Sequence, residues 1–105
     1  MDIISSAENP HIKTLKSLNE KKYRKFYGEF VLEGPKSVKE AVSAGTVITK
    51  LFVAASKQGE YADLIAKNKS TTIIVADKLF GRLTDTVSPQ GIIAQAQMKA
   101  GKEFN

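Results

Sequence analysis

The segment TVITKLFVA, Thr46 to Ala54, constrains the fold more than any other part of the sequence. It is rich in β-branched residues and ends in three consecutive large apolar side chains, Leu51, Phe52 and Val53. Successive side chains of a strand point to opposite faces of a sheet, so an unbroken apolar run predicts a strand that is buried on both faces. We expect this strand to be central in its sheet.

Strand and helix patterns alternate along the rest of the chain. Strands are predicted over residues 29–33, 46–54, 71–76 and 91–98, with helical patterns between them. Two further helical segments, 10–19 and 20–27, precede the first strand. This order predicts an α/β protein in which helical crossovers cover a mostly parallel or mixed sheet.

Composition favours a polyanionic partner. The 105 residues suit one domain, and 16 Lys and Arg against 11 acidic residues give a formal net charge of +5. Residues 1–27 hold six basic and three acidic residues, whereas residues 28–105 hold ten and eight, so more than half of the net charge lies in the first quarter. Cys is absent, which is typical of a cytoplasmic protein, and the longest apolar run is too short to cross a bilayer. We expect a cytoplasmic protein with no membrane partner.

Signatures of catalysis are missing from the sequence. No dinucleotide or phosphate-binding glycine loop, HExxH motif or Asp-rich metal loop occurs. The single histidine, His11, falls in the first turn of a predicted helix, where an exposed residue or an RNA contact is the natural interpretation. We therefore expect no catalytic residue, no metal site and no cofactor site in this chain.

The segment KKYRKFY, residues 21–27, combines cations with aromatic rings. Its four cations follow two upstream lysines, Lys13 and Lys16, and are Lys21, Lys22, Arg24 and Lys25. Facing one way, they would neutralise several phosphates, and the interleaved rings offer surfaces for unpaired bases. Two alternatives remain open: the cations form a solvated face, or Tyr23 and Phe26 dock the helix on the core.

The next helix begins with cations where its dipole is already positive. Lys36 and Lys39 follow the Gly34-Pro35 turn, an arrangement that suits a bound anion such as an RNA phosphate. Glu33, beside them, is interpreted as structural.

The loop TDTVSPQG, residues 84–91, is dense in turn-forming residues. Pro89 and Gly91 suit the corners of a tight turn. Gln90 would then present its amide to a base edge or a ribose, with Arg82 nearby.

Three stretches together resemble a known family: ISSAENPHIKTLKSL, KKYRKFYGEFVLEGPKSVKEAV and LTDTVSPQGIIAQA. They look like the substrate-binding domain of SpoU-type (TrmH-like) RNA 2'-O-ribose methyltransferases of the SPOUT superfamily, and the resemblance spans nearly the whole chain. It implies a three-layer α/β/α sandwich similar to small ribosomal kink-turn RNA-binding proteins. The positions that match the family motifs are Asn9, Lys13, Lys21, Lys22, Arg24, Lys25, Glu33, Gly34, Pro89, Gln90 and Gly91.

The resemblance also implies a longer enzyme. In the family a knotted domain binds S-adenosylmethionine, supplies the catalytic arginine and forms a homodimer, and none of its motifs occurs in residues 1–105. The chain is thus expected to be a monomeric RNA substrate-binding domain that recognises rRNA or tRNA for a ribose 2'-O-methyltransferase.

Two alternatives are compatible with the same residues. One is a free-standing ribosomal-type RNA-binding protein without enzymatic activity, which a reading frame continuing past Asn105 into a knotted domain would exclude. The other is a protein-interaction domain whose basic helix meets an acidic partner.

Overall fold

The computed structural model describes residues 2–84 and 90–98, which build one mixed sheet with helices on both faces. The strands are β1 Ile3–Ile4, β2 Glu29–Glu33, β3 Ile48–Ala54, β4 Thr72–Val75 and β5 Ile92–Gln97. The α-helices of this part of the chain are α1 Pro10–Ser17, α2 Lys21–Tyr27, α3 Pro35–Ser43, α4 Ala62–Lys67 and α5 Asp77–Phe80. None of them is long and apolar enough to span a bilayer.

The sheet has the strand order β1-β4-β3-β5-β2. β3 pairs with β4 in parallel and with β5 antiparallel, so it is central, as its apolar run predicts. β2 lies at one edge and pairs only with β5 among the described strands. β1, at the other edge, was not predicted, because two residues give no alternation to detect; Ile3 pairs with Ile74 and Ile4 with Val75.

The side chains of β3 divide the core between the two faces of the sheet. Leu51 and Val53 pack with α3 and α4, whereas Phe52 and Ala54 pack with α1 and α5. We call these the α3/α4 face and the α1/α5 face. The α/β/α sandwich is therefore confirmed, and the double burial of β3 is its physical cause.

α1 is fixed to the sheet by its sequence pattern. Asn9 caps it by accepting the His11 backbone N–H at 2.9 Å, and Pro10 takes the first helical position. Ile12 and Leu15 are buried against the α1/α5 face.

Unlike α1, α2 is not attached to the sheet by buried side chains, because none of its residues is buried. Gly28 ends it in the left-handed region, with φ of 66°, and the chain passes directly into the edge strand β2. In β2, Phe30 and Leu32 pack on the α3/α4 face and Val31 on the other, as the alternation predicts.

The segment between β3 and α4 differs from its prediction. The sequence after β3, with Ser56 as a potential N-cap, predicts one helix that closes near Asn68, but a 3-10 turn covers Ala55–Lys57 and α4 begins only at Ala62. The Ser56 N–H instead donates to the Asp77 carboxylate at 3.0 Å, at the start of α5. This bond joins the loops that follow β3 and β4, which leave the sheet at the same edge because the two strands are parallel.

Candidate nucleic-acid interface

A cleft of about 500 Å³ opens on the α1/α5 face, beside the edge strand β2. Apolar side chains of α1, β2 and β5 contribute to its lining, including Leu15, Val31 and Ile93, which belong to the core cluster of this face. Its polar lining residues come from four places in the chain and are Lys16, Asn19, Arg24, Glu33, Arg82 and Thr84. The volume lies in the range of pockets that hold a small organic group.

The charge of the cleft is positive. Three cations, from Lys16, Arg24 and Arg82, face one carboxylate, that of Glu33. Within residues 2–84 and 90–98 the ion pairs are Lys13 with Glu8 and Lys57 with Glu60, so no ion pair neutralises the cations of the cleft. Among the described residues, an anion that enters the cleft therefore meets more positive than negative charge.

Arg24 also builds the wall of the cleft. Its Nη1 donates to the carbonyl oxygens of Leu18 at 2.9 Å and Asn19 at 3.0 Å, just after the end of α1. These bonds satisfy carbonyls near the end of one helix and hold α2 against it. The sequence predicted Arg24 as an RNA contact, and the structure gives it this second, structural role.

The other cations of α2 point into solvent. Lys21, Lys22 and Lys25 are exposed, and none of the ion pairs of the described residues includes them. Lys22 places its Nζ 5.0 Å from the centroid of the Tyr23 ring, a cation–π contact. Of the two aromatic residues considered for docking, Tyr23 is half-buried and Phe26 is 78% exposed. Docking of Phe26 on the core is therefore wrong.

The two glycine turns predicted from the family motifs lie against each other. Gly34 has φ of 90° and precedes α3, and its N–H donates to the Ile92 carbonyl at 3.1 Å. A Cβ on Gly34 would stand 3.0 Å from Oε1 of Gln90, so the Gln90 side chain lies over this turn. Gly91, with φ of 77°, continues into β5. Pro89 lies outside the described residues.

Of the ten predicted contacts, only Arg24 and Arg82 line the cleft. Besides Gln90 and the three exposed lysines of α2, four further predicted contacts lie away from it. Lys36 and Lys39 are exposed on α3, which packs on the opposite face of the sheet. Asn9 is occupied as the cap of α1. Lys13 pairs with Glu8 at 2.7 Å and, by that contact, lowers the pKa of the Glu8 carboxyl.

Residues 9–94 match the family of MRM3-like substrate binding domains. The chain belongs to this family. The match includes β2 to β4, the first half of β5 and every cleft residue named above, so the elements that build the site are those of an MRM3-like substrate binding domain.

The relatives of this MRM3-like domain are longer proteins. An uncharacterized tRNA/rRNA methyltransferase from Synechocystis sp. is 29% identical over 98 residues, which are 90% of this chain and 36% of the relative. A solved RNA 2'-O ribose methyltransferase has a TM-score of 0.75 and 28% identity, over 99% of this chain and 41% of its own. An rRNA methyltransferase from Sinorhizobium meliloti shares the fold with a TM-score of 0.80 at 24% identity, over 93% and 37%. The MRM3-like domain thus spans about two fifths or less of each.

S-adenosylmethionine does not fit the cleft of the MRM3-like domain. The sulfonium of this cofactor is positive, and the cleft already holds three cations against one carboxylate. No step of a methyl transfer is therefore assigned to the described residues.

Sequence reasoning missed part of the cleft of the MRM3-like domain. Lys16 was grouped with the basic segment but not chosen as a contact, and Asn19 was not considered. In the predicted helix 10–19 their spacing of three residues places both on one side, which is the available signal. In the structure α1 ends at Ser17 and Asn19 follows it. The apolar lining depends on the pairing of β2 with β5, which no local pattern indicates.

Proposed function

We propose that this MRM3-like domain binds a folded rRNA or tRNA and presents one nucleotide to the methyl-transferring domain of an S-adenosylmethionine-dependent RNA 2'-O-methyltransferase. The observation that carries the proposal is the cleft, in which Lys16, Arg24 and Arg82 outnumber the one carboxylate of the described lining and lie next to the exposed lysines of α2. Phosphate binding by such cations is the main source of affinity for nucleic acids.

The arrangement suits recognition rather than chemistry. Methyl transfer to a ribose hydroxyl depends on holding that hydroxyl in line with the methyl group, so a second domain that fixes the RNA contributes directly to the rate. A cleft lined by both apolar and polar groups, with one carboxylate among its cations, offers surfaces for a base and for its phosphates. We place the enzyme in the cytoplasm and expect it to be a homodimer formed outside these residues.

Two faces of the domain take different parts in the proposal. The cleft and α2, on the α1/α5 face, would supply the main grip on phosphates. Lys36 and Lys39, with Gln90 beside the Gly34 turn, would contact RNA that passes the edge of the sheet where β2 ends. Lys13 would approach RNA only in competition with Glu8.

The test is the salt dependence of RNA binding by the 105-residue chain. Structured rRNA and tRNA pieces are titrated against an unrelated duplex at several salt concentrations. The variant K21Q/K25Q removes two exposed charges one turn apart on α2 and leaves Arg24 in place, because Arg24 also holds α1. We expect weaker binding and a slope of log K against log salt that is smaller by about 0.7 to 0.9 for each lost phosphate contact.

The matched control is K67Q/K69Q, which removes the same charge near the end of α4, on the opposite face of the sheet. It is expected to leave the slope close to that of the wild type. Equal effects of both variants would show that the α2 lysines contribute only general electrostatic attraction and no specific phosphate contacts. Wild-type binding that shows no preference for the structured RNAs would contradict recognition by this domain.

A further inference from the structure

Phe26 and Tyr27 form an exposed aromatic pair at the end of α2. Phe26 is 78% exposed and Tyr27 43% exposed. Their ring centroids are 5.0 Å apart and their planes meet at 85°, an edge-to-face contact. Such a contact uses the edge of one ring and one face of the other, so flat aromatic surface remains open to solvent.

Folding of the domain does not account for this pair. α2 contributes no buried residue, and hydrogen bonds attach it. Arg24, in the middle of the helix, donates to the Leu18 and Asn19 carbonyls, and the Met98 N–H donates to the carbonyl of Gly28, just after the helix, at 2.9 Å. A phenylalanine with more than three quarters of its surface in water contributes little to the core, and two touching aromatic residues make a patch rather than a scattered surface residue.

The charge around the pair indicates the kind of partner. Lys21, Lys22 and Lys25 share α2 with it, and the helix, KKYRKFY, holds no acidic residue. A protein surface that docks on aromatic rings is ordinarily apolar at its centre, with charged residues depleted there. In the part of the chain that the structure describes, these lysines form no ion pair. Rings set among such lysines suit a partner that is both flat and polyanionic.

We propose that Phe26 and Tyr27 are a stacking platform for an unpaired base of the bound RNA, with the α2 lysines on the flanking phosphates. The proposal rests on the proposed function and adds to it that the substrate presents an unstacked nucleotide at α2. Every base has a π-face, so the platform selects for single-stranded character rather than for sequence.

A tryptophan reporter tests the contact directly, because the chain contains no Trp. Phe26→Trp places the only indole of the protein at the platform. Titration with an RNA hairpin that carries an unpaired loop should quench its fluorescence and leave the affinity within about threefold of the wild type. The same hairpin with abasic loop nucleotides should bind about tenfold more weakly and quench little, whereas a fully paired duplex should not quench.

Two substitutions separate stacking from an ordinary apolar contact. Phe26→Leu keeps an apolar side chain without a π-system and is expected to weaken hairpin binding by about five- to tenfold. The control Val47→Ala, at an apolar residue 54% exposed on the approach to β3, is expected to leave the binding unchanged. Full affinity of Phe26→Leu, or equal binding of abasic and intact hairpins, would overturn the platform.

The outcomes distinguish the two proposals. If Phe26→Leu binds as wild type while K21Q/K25Q still flattens the salt dependence, the platform fails and RNA binding stands. If the wild-type chain binds no RNA, both fail.

Discussion

The hydroxyl of Tyr61 donates a hydrogen bond of 2.6 Å to the backbone carbonyl of Gln90. Tyr61 is the residue before α4 and is 4% exposed, so the bond ties the α3/α4 face to the residue that precedes the Gly91 turn. The side chain of Gln90 in turn lies over Gly34. One buried phenol therefore positions the backbone of a predicted RNA contact.

Tyr61→Phe should lower the free energy of unfolding by about 1 kcal/mol, because it leaves the Gln90 carbonyl without its donor. Burial, helped by the negative charge of Glu60, raises the pKa of Tyr61 above its ordinary value. The fold thus favours the neutral phenol, and its contribution is complete below the unfolded pKa and is lost as pH rises through the folded pKa. Denaturant unfolding from pH 7 to 11 checks this, since the difference between wild type and Tyr61→Phe should shrink at high pH.

Gln90→Ala should reduce discrimination among RNAs more than it reduces overall affinity. The side chain lies at the sheet edge beside Gly34, where an amide can donate to and accept from a base or a ribose. Binding of structured and unrelated RNAs at one salt concentration measures the ratio. An equal loss for every RNA would remove the proposed reading role, and Gln58→Ala, at an exposed amide after the 3-10 turn, is the control.

Gly91→Ala should destabilise the domain more than Gly45→Ala. Both glycines have positive φ, 77° and 79°, so alanine costs roughly 1 to 2 kcal/mol at either site. At Gly91 the new Cβ would also stand 2.6 Å from Cγ of Lys57 and 3.3 Å from the Cβ of Ala54, whereas nothing lies within 4 Å at Gly45. Thermal unfolding of the two variants gives the comparison, and equal costs would show that Lys57 moves away freely.

Asp77→Asn should remove a stabilisation that is present at neutral pH and is lost in acid. Hydrogen bonds from Ser56 lower the pKa of the Asp77 carboxyl below its ordinary value. The contribution is therefore present above the unfolded pKa and is lost as pH falls through the folded pKa. Unfolding between pH 7 and 2 should show wild type more stable than Asp77→Asn at neutral pH and the two converging in acid. A constant difference would contradict the assignment.

Arg24→Gln should destabilise the domain by about 1 kcal/mol, because two carbonyls after α1 lose a charged donor. Lys25→Gln, the neighbouring exposed cation, is the control and should change the unfolding free energy by a few tenths at most. Weaker RNA binding by Arg24→Gln could therefore come from a lost phosphate contact or from a destabilised helix. Weaker binding by K21Q/K25Q does not have the second explanation, because both lysines are exposed.

Local pattern was sufficient for much of the fold. The run at Leu51 to Val53 predicts a buried central strand from its own side chains, and Asn9-Pro10 predicts the start of α1. β1 escaped prediction because two isoleucines acquire strand geometry only by pairing with β4. The sequence predicted Gly34 and Gln90 as parts of two separate turns, but it did not predict that the two turns are in contact.

The site was less predictable for a physical reason. Whether Tyr23 or Phe26 faces the protein depends on how α2 is attached, and this attachment uses the Arg24 guanidinium and distant backbone atoms rather than an apolar stripe. The cleft likewise depends on side chains from α1, β2 and the segment after α5 meeting in three dimensions. The net charge predicted a polyanionic partner, but only the three-dimensional structure locates the cleft proposed to bind it.

The position of β5 has a consequence for the order in which the molecule acquires its site. β2 has β5 as its strand neighbour, and the Glu29 carboxylate meets the Gln95 amide across 66 residues of sequence. Among the described strands β5 comes last in the sequence and lies between β3 and β2, so the basic helix and Glu33 are synthesised before the strand that joins β2 to the sheet. Because this pairing is long-range, we expect the surface that α2 and β2 share to acquire its final shape late in folding, after the local helices can form.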